Sequence, residues 1–260
     1  SALTMTLPPL TASLLSLAIA AAGWGLQALT SGGAVAATLV GALILQRTGI
    51  PGLLALGAFF VGANLISRLA PDRTSALDGK GPRRDAVQVL ANGGAAALGA
   101  LLPGAGLWMV TASLAAAAAD TWATSTGAWS RSPTRDVVRW HAVPPGTSGG
   151  VTIMGTAGAL LGAASVGVLA ALGAGVPALF PLALVVGMLG MLADSVLGAV
   201  VQGRFHCDTC DLPTERQVHR CGQSSRPTGG VRWLNNDAVN AFATAAAALA
   251  GLIAWRSWAA

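Results

Sequence analysis

The sequence predicts an all-α fold, a polytopic membrane protein of about eight transmembrane helices (six to eight), on three observations. Hydrophobic residues make up 53% of the chain and charged residues only 10%, where a soluble domain carries about 25% charge. Eight apolar stretches approach or exceed the roughly 20 residues that a bilayer core requires. The basic residues also fall almost entirely on one set of the intervening loops. The mean hydropathy of +0.64 agrees. The 34 glycines, in an alanine-rich background, suit helices that pack closely in lipid, where small residues let backbones approach. A soluble alanine-rich bundle would share the composition but not so many uncharged runs of this length. Residues 1–260 read as one transmembrane domain that contains a polar loop, 203–233.

The stretches run over 8–29, 33–47, 50–69, 86–102, 106–126, 151–173, 178–202 and 234–256. No Lys or Arg precedes the first, so it lacks the basic flank of a signal peptide. The second and fourth are short for a span, and are expected to be tilted, broken or re-entrant. With all eight crossing, the loops 68–85, 127–150 and 203–233 share one side and hold 13 of the 15 Lys and Arg residues. Only Arg47 and Arg256 are left for the other side. By the positive-inside rule these loops are expected to be cytoplasmic and both termini external. The composition has a bacterial character, so the expected location is an inner membrane of bacterial type. Anionic headgroups and phosphates account for the pI near 10.4, and no nucleic-acid partner is expected.

Three acids lie in or at the edge of apolar stretches: Asp120, Asp194 and Asp237. At a helix centre such a residue costs about 2.5–3.5 kcal/mol on insertion scales, which marks it as functional by default. Asp120 stands about six residues, roughly 9 Å, from the basic end of its helix, and Asp194 about eight residues, roughly 12 Å. Asp237 begins the last helix between Asn236 and Asn240, and Asn92 is about six residues into the fourth stretch. Each acid alone could cap a helix or pair with an arginine. At matched depth, they form a layer of hard oxygen ligands suited to Mg²⁺, which takes one or two carboxylates plus substrate phosphates.

Two loops offer phosphate partners. Lys80, Arg83 and Arg84 precede the fourth stretch, the arginines as forked donors and the lysine as a point charge. They could also serve only as a positive-inside anchor. Gly146-Thr147-Ser148-Gly149-Gly150 stands immediately before the sixth stretch, where glycines can turn N–H groups toward an anion at a helix N-terminus. The loop 203–233 carries all three cysteines. Cys207, Cys210, His219 and Cys221 supply four ligands of the kind that closes a structural Zn²⁺ site. Free thiols beside a surface histidine are the alternative. His141 and His206 are isolated and receive no role. The chain has no Walker-type loop and no nicotinamide fingerprint. Gly155, Gly162 and the run 187–190 read as helix-packing positions.

Several segments resemble the integral-membrane family that includes plant phytyl-phosphate kinase. They are Arg84 to Gly93, Ala119-Asp120-Thr121-Trp122-Ala123, Val143 to Gly150, Asp194 to Ala199, and Trp233 to Asn240. The resemblance covers roughly residue 80 to the end, and the first three stretches match only in character. A weaker likeness, Asp120-x-x-Ala123-x-x-x-Gly127 followed by Pro-Gly-Thr-Ser-Gly-Gly, is to the CTP-using phytol and dolichol kinases and to CDP-diacylglycerol synthases. Ser125-Thr126 departs from the acid that family members often carry there.

The resemblance implies a kinase that uses CTP, with Mg²⁺, to convert an isoprenoid monophosphate to its diphosphate at the membrane surface. Asp120, Asp194 and Asp237 are then expected to meet metal or nucleotide, and Lys80, Arg83 and Arg84 to neutralise phosphates. Asn92, Gly146 to Gly150, Asn236 and Asn240 would hold the nucleoside triphosphate. A cytidylyltransferase that makes a CDP-linked lipid is the alternative enzyme. A transporter of an anionic lipid or metabolite is the alternative class. Transporters place their sites near the midplane, often between repeats, and no repeat is visible.

Overall fold

A computed structural model describes residues 7–71 and 83–259. Seven helical elements and five short strands follow in order: α1 (Pro9–Gly25), α2 (Ser31–Leu69), α3 (Ala86–Gly99), α4 (Gly106–Gly127), β1 (Arg135–Asp136), β2 (Gly150–Val151), α5 (Ile153–Ala174), α6 (Leu179–Val200), β3 (Arg204–Cys207), β4 (Leu212–Thr214), β5 (Arg226–Gly229) and α7 (Asn236–Ala259). Four of the helices (α2, α5, α6 and α7) are long and apolar enough to cross a membrane, and α1 and α3 are shorter apolar helices.

The second and third stretches are the two halves of α2. Gly49, at φ 65 and ψ −153, breaks the helix between them, a backbone conformation that favours glycine. A Cβ on Gly41 would stand 3.7 Å from Leu56, whereas a straight helix would separate these residues by roughly 22 Å. The halves therefore fold back on each other as a hairpin. Each of the eight expected stretches is helical, with one pair joined through a single glycine.

Connections alternate between two faces. Arg84 donates its N–H to Ala28 and accepts from Thr30 (2.9 and 3.0 Å), which joins the α1–α2 turn to the segment before α3. On the opposite face, Gly104 lies against Trp255 of α7, and Gly173 lies against Pro51 and Leu54 at the α2 hairpin tip. We call the first the basic face. Exposed leucines such as Leu14, Leu39, Leu65, Leu161 and Leu189 surround the bundle as a lipid-facing belt.

At the centre stands α4, packed against α2, α3, α5, α6 and α7. Every residue from Trp108 to Ala119 is buried. Its alanines leave no side chain long enough to hold the neighbours off, and glycines on those neighbours close the remaining gap. A Cβ on Gly162 of α5 would meet the Ala118 carbonyl oxygen at 2.8 Å, and one on Gly190 of α6 the Ala116 methyl at 2.5 Å. Gly251 of α7 would meet the Trp108 carbonyl oxygen at 2.6 Å. Gly155, Gly162, Gly187 and Gly190 are thus packing positions, as their spacing suggests.

The strands lie in the connections and were not expected from the sequence. β1 and β2 pair antiparallel across the α4–α5 connection, and β4-β3-β5 form a small sheet within the α6–α7 connection.

Gly190→Leu is expected to destabilise the protein by about 1–3 kcal/mol, because a fully packed contact cannot absorb the added volume. Gly94 of α3 has open space where its Cβ would point, so Gly94→Ala should leave stability unchanged or raise it by up to about 1 kcal/mol. Thermal unfolding in detergent measures both, and equal midpoints would contradict the packing account.

Candidate functional site

The α4–α6 contact sets the position of the first two acids. Both helices run from the opposite face to the basic face, so their residues advance in parallel. Ala116 meets Gly190, and one turn further, about 5.4 Å, each helix carries its aspartate: Asp120 and Asp194. Asp194 lies within electrostatic range of Asp120 and of Glu215. Its Oδ2 is buried without a hydrogen-bond partner among the described residues, as is Oδ1 of Asn240.

The last helix brings a third element to the same depth. Ala247 of α7 packs with Ala112 and Ala116 of α4, and α7 runs antiparallel to α4. Asn240 and Asp237, two and three turns nearer the basic face, are both buried. Asn236 is exposed at the helix start, where Asn235 Oδ1 accepts the Ala238 N–H at 3.0 Å and acts as the cap. Asp120, Asp194, Asp237 and Asn240 therefore share one layer, while Asn236 stands at its rim.

The glycine loop reaches this layer through α6. Gly149, at φ 80, rests on Ala199 so closely that a Cβ there would stand 2.4 Å from the alanine methyl. The expected cradle at a helix N-terminus is corrected in two respects. β2 intervenes before α5, whose first turn is capped by Thr152 accepting the Gly155 N–H at 2.9 Å. The Ser148 N–H already donates to Glu215 Oε1 at 3.2 Å. Thr147 turns back on Pro144, its hydroxyl donating to the carbonyl at 2.8 Å, and Gly146 and Gly150 complete the turn. The buried Gln202 amide donates to both Ser148 Oγ (2.9 Å) and Glu215 Oε2 (2.7 Å).

Sequence reasoning missed Glu215, Gln202 and Asp136. Glu215 had one available signal, since it is the only glutamate in the chain. Asp136, in β1, accepts the Val138 and Arg139 N–H groups at 2.9 and 2.7 Å. Val137 donates to the Gly149 carbonyl, so this strand pair holds the glycine loop in place.

The basic segment is only partly described. Lys80 lies outside the described residues, and Arg83 is exposed. Arg84 turns inward, its Cζ 5.3 Å from the centroid of the Phe59 ring, and its Nη1 is buried without a partner among the described residues. Burial pulls its pKa down to about 10, which leaves it charged at neutral pH. Asp85 and Gln88 form a reciprocal capping box at the start of α3. Arg84, Gln88 and Asn92 line a cavity of about 430 Å³ between α1, α2 and α3. The candidate residues thus fall into two compartments. One is the acid layer between α4, α6 and α7, and the other is this cavity. α7 packs on both α3, which lines the cavity, and α6, which carries Asp194, and the Thr244 hydroxyl of α7 donates to the Ala91 carbonyl of α3 at 2.9 Å.

Cys207, Cys210, His219 and Cys221 converge, with their ligand atoms all within 4.8 Å of one another. Cys207 and Cys221 sulfurs are 3.6 Å apart and His219 Nδ1 is 3.2 Å from the Cys221 sulfur. A tetrahedral Zn²⁺ with bonds of about 2.3 Å to sulfur spaces its ligands by roughly 3.8 Å, so the donor set and its spacing fit that ion. His206 is instead paired with Asp208 and Asp211.

The sequence profile of the family described as "Integral membrane protein DUF92" matches residues 14–248. The chain is 31% identical over 180 residues to Uncharacterized membrane protein MJ0933 of Methanocaldococcus jannaschii, a match that covers 68% of this chain and 76% of that protein. It is 28% identical over 219 residues to Protein PGR of Arabidopsis thaliana, covering 70% and 74% respectively. No solved structure matches.

The two N–H donors, that of Arg139 foremost, hold the Asp136 carboxyl below the usual carboxylate range. A depressed folded pKa contributes stability that is complete above the unfolded value of about 3.9 and is lost as the pH falls through the lowered one. Asp136→Asn should therefore lower the unfolding temperature at neutral pH and flatten its decline below about pH 4. An unchanged acid limb would assign that decline to other groups.

Proposed function

The chain belongs to the DUF92 family of integral membrane proteins, and on that footing we propose that it is a phosphotransferase, a CTP-dependent kinase that converts phytyl or another prenyl monophosphate to the diphosphate. The observation that carries this reading is the pair Asp120 and Asp194. Each stands one turn beyond a tight helix contact, within electrostatic range of the other, and Asp194 Oδ2 has no protein partner among the described residues. Two carboxylates held together in an apolar bundle are costly unless a cation stands with them.

These oxygens, with Asp237 and Asn240 at the same depth, fit Mg²⁺, and they are the residues that would hold it. Such an ion, when bound, neutralises charge on the phosphates in transfer. The acceptor monophosphate is already an anionic nucleophile, so no general base is required. Its oxygen bonds to the γ-phosphorus of CTP, the γ-phosphorus bond to the β–γ bridging oxygen breaks, and CDP leaves with the electron pair. Lys80, Arg83 and Arg84 would offset phosphate charge, and the loop Gly146 to Gly150 would hold the nucleotide through donors other than the Ser148 N–H. With the basic face cytoplasmic in a membrane of bacterial inner type, the site meets cytosolic nucleotide and membrane lipid together. The one-sided polar layer argues against a midplane transporter.

We further propose that Cys207, Cys210, His219 and Cys221 bind a structural Zn²⁺. It would hold the β3–β4 hairpin and, through Glu215 just beyond β4, the glycine loop.

Purified protein should form CDP and a prenyl diphosphate from at least one pairing of CTP, ATP, GTP or UTP with phytyl, geranylgeranyl or longer prenyl phosphates. No diphosphate product with any pairing would remove the kinase reading, and pyrophosphate with a CDP-linked lipid would replace it with a cytidylyltransferase. Asp120→Asn and Asp194→Asn should lower turnover by about 10²–10³, while stability holds or rises because an amide is cheaper to bury than a carboxylate. Wild-type turnover in both would end the assignment.

Elemental analysis should find about one zinc per chain, lost in Cys210→Ser. Zinc-free protein that retains the unfolding temperature of a zinc-loaded preparation would defeat the metal proposal.

A further inference from the structure

We propose that the cavity between α1, α2 and α3 is the seat of the acceptor's hydrocarbon chain. The phosphate of a prenyl monophosphate meets Arg84 at its mouth, and Gly57 fixes how much chain the cavity admits. The identity of the occupant rests on the kinase reading above; the cavity and its polar mouth do not.

Three observations converge. The cavity's lining is almost wholly apolar, with Ile19 and Ala20 of α1, Val40 and Phe59 of α2, and Val89 of α3 among its walls. Along the second half of α2 it extends from Leu53 to Val61, eight residues or about 12 Å of helix. An apolar space of this volume inside a lipid-embedded bundle suits a hydrocarbon chain.

Polar groups mark one end of it. Arg84 stands before α3 at the basic face, and Gln88 and Asn92 follow one helical turn apart on that helix. The arginine is immobilised from both sides. Its backbone is bonded to Ala28 and Thr30, and its guanidinium lies on Phe59. Nη1 is out of contact with solvent and has no acceptor among the described residues. A buried guanidinium N–H without an acceptor is costly, and a phosphate oxygen is the acceptor that best matches its charge and fork geometry. An apolar cavity with one fixed cation at its mouth is complementary to an amphiphile with one chain and an anionic head.

Gly57 gives a way to alter the cavity without touching the polar groups. It lines the cavity, and a Cβ built on it meets nothing within 4 Å. A larger residue there enters space that no protein atom fills, and replaces a residue that weakens helices.

The experiment measures binding in the absence of nucleotide, on the full chain in detergent, with geranylgeranyl monophosphate, geranyl monophosphate, phosphatidic acid and inorganic phosphate as probes. Geranylgeranyl monophosphate should bind at least about tenfold more tightly than phosphatidic acid or inorganic phosphate. Gly57→Leu should weaken geranylgeranyl monophosphate by about tenfold or more and spare the shorter geranyl monophosphate. Arg84→Gln should weaken both. Equal affinity for inorganic phosphate would reduce the site to an anion contact, and equal affinity for phosphatidic acid would make it a site for bilayer lipid; either overturns the proposal. A photoreactive prenyl monophosphate on the unsubstituted protein gives a readout independent of variant folding. Adducts on Ile19, Phe59 or Val89 support the cavity, and adducts confined to other helices overturn it. Selective binding without turnover would refute the kinase reading and keep the cavity. Turnover that Gly57→Leu leaves unaltered for every chain length would do the reverse.

Discussion

The arrangement depends on one contact type: glycine against the alanine face of α4. Helices in lipid gain little from burying apolar surface, because the surrounding chains are equally apolar, so association relies on close van der Waals contact. Trp108 to Ala119 is the longest uninterrupted buried run among the described residues, and small residues meet it on α5, α6 and α7. Close approach has a second effect. It removes the play between helices, so a side chain one turn beyond a contact is positioned by the contact itself. Asp120 and Asp194 take their mutual placement from Ala116 and Gly190, much as a binding group is made rigid by the element that carries it.

How much of this could be read in the sequence depends on the kind of signal. Hydropathy and uncharged length located all eight helical stretches, because the requirement of a bilayer is written in every residue of a span. Depth along the helices then placed Asp120, Asp194, Asp237 and Asn240 in one layer. The hairpin at Gly49 was visible only as two adjacent stretches, since a turn made by one residue leaves almost no gap in hydropathy. The strands were illegible, because pieces of two to four residues in polar loops carry no sustained alternation. The partners of Ser148 were equally hidden. Gln202 and Glu215 are 54 and 67 residues away along the chain, and nothing in a polar loop indicates which distant loop it will touch. The inward turn of Arg84 is of the same kind, since position beside a span suggests an anchor and only the packing of Phe59 shows otherwise.

The two compartments divide the labour that a lipid-modifying site needs. Charged groups gather where helix ends give access to water, while the apolar cavity lies deeper between α1, α2 and α3. α7 packs on one wall helix of each, α3 for the cavity and α6 for the acid layer. The small sheet β4-β3-β5 contributes from outside the bundle, its following residue Glu215 being hydrogen-bonded to the loop that rests on α6.

The hairpin at Gly49 also bears on how the chain enters a bilayer. Its tip is Thr48-Gly49-Ile50, with no polar loop to be exported as a separate segment, and Thr48 and Pro51 are buried. The last turn of α5 covers the tip at Gly173. Two apolar helices joined without a spacer must partition into lipid as a pair, because leaving one half behind would strand it in water. Arg47 offers the tip a single positive charge against the many in the loop beyond Arg68, so the loop and not the tip decides which way the pair points during insertion. The covering helix is made much later in synthesis, and until α5 arrives the tip of this hairpin faces the membrane surface bare.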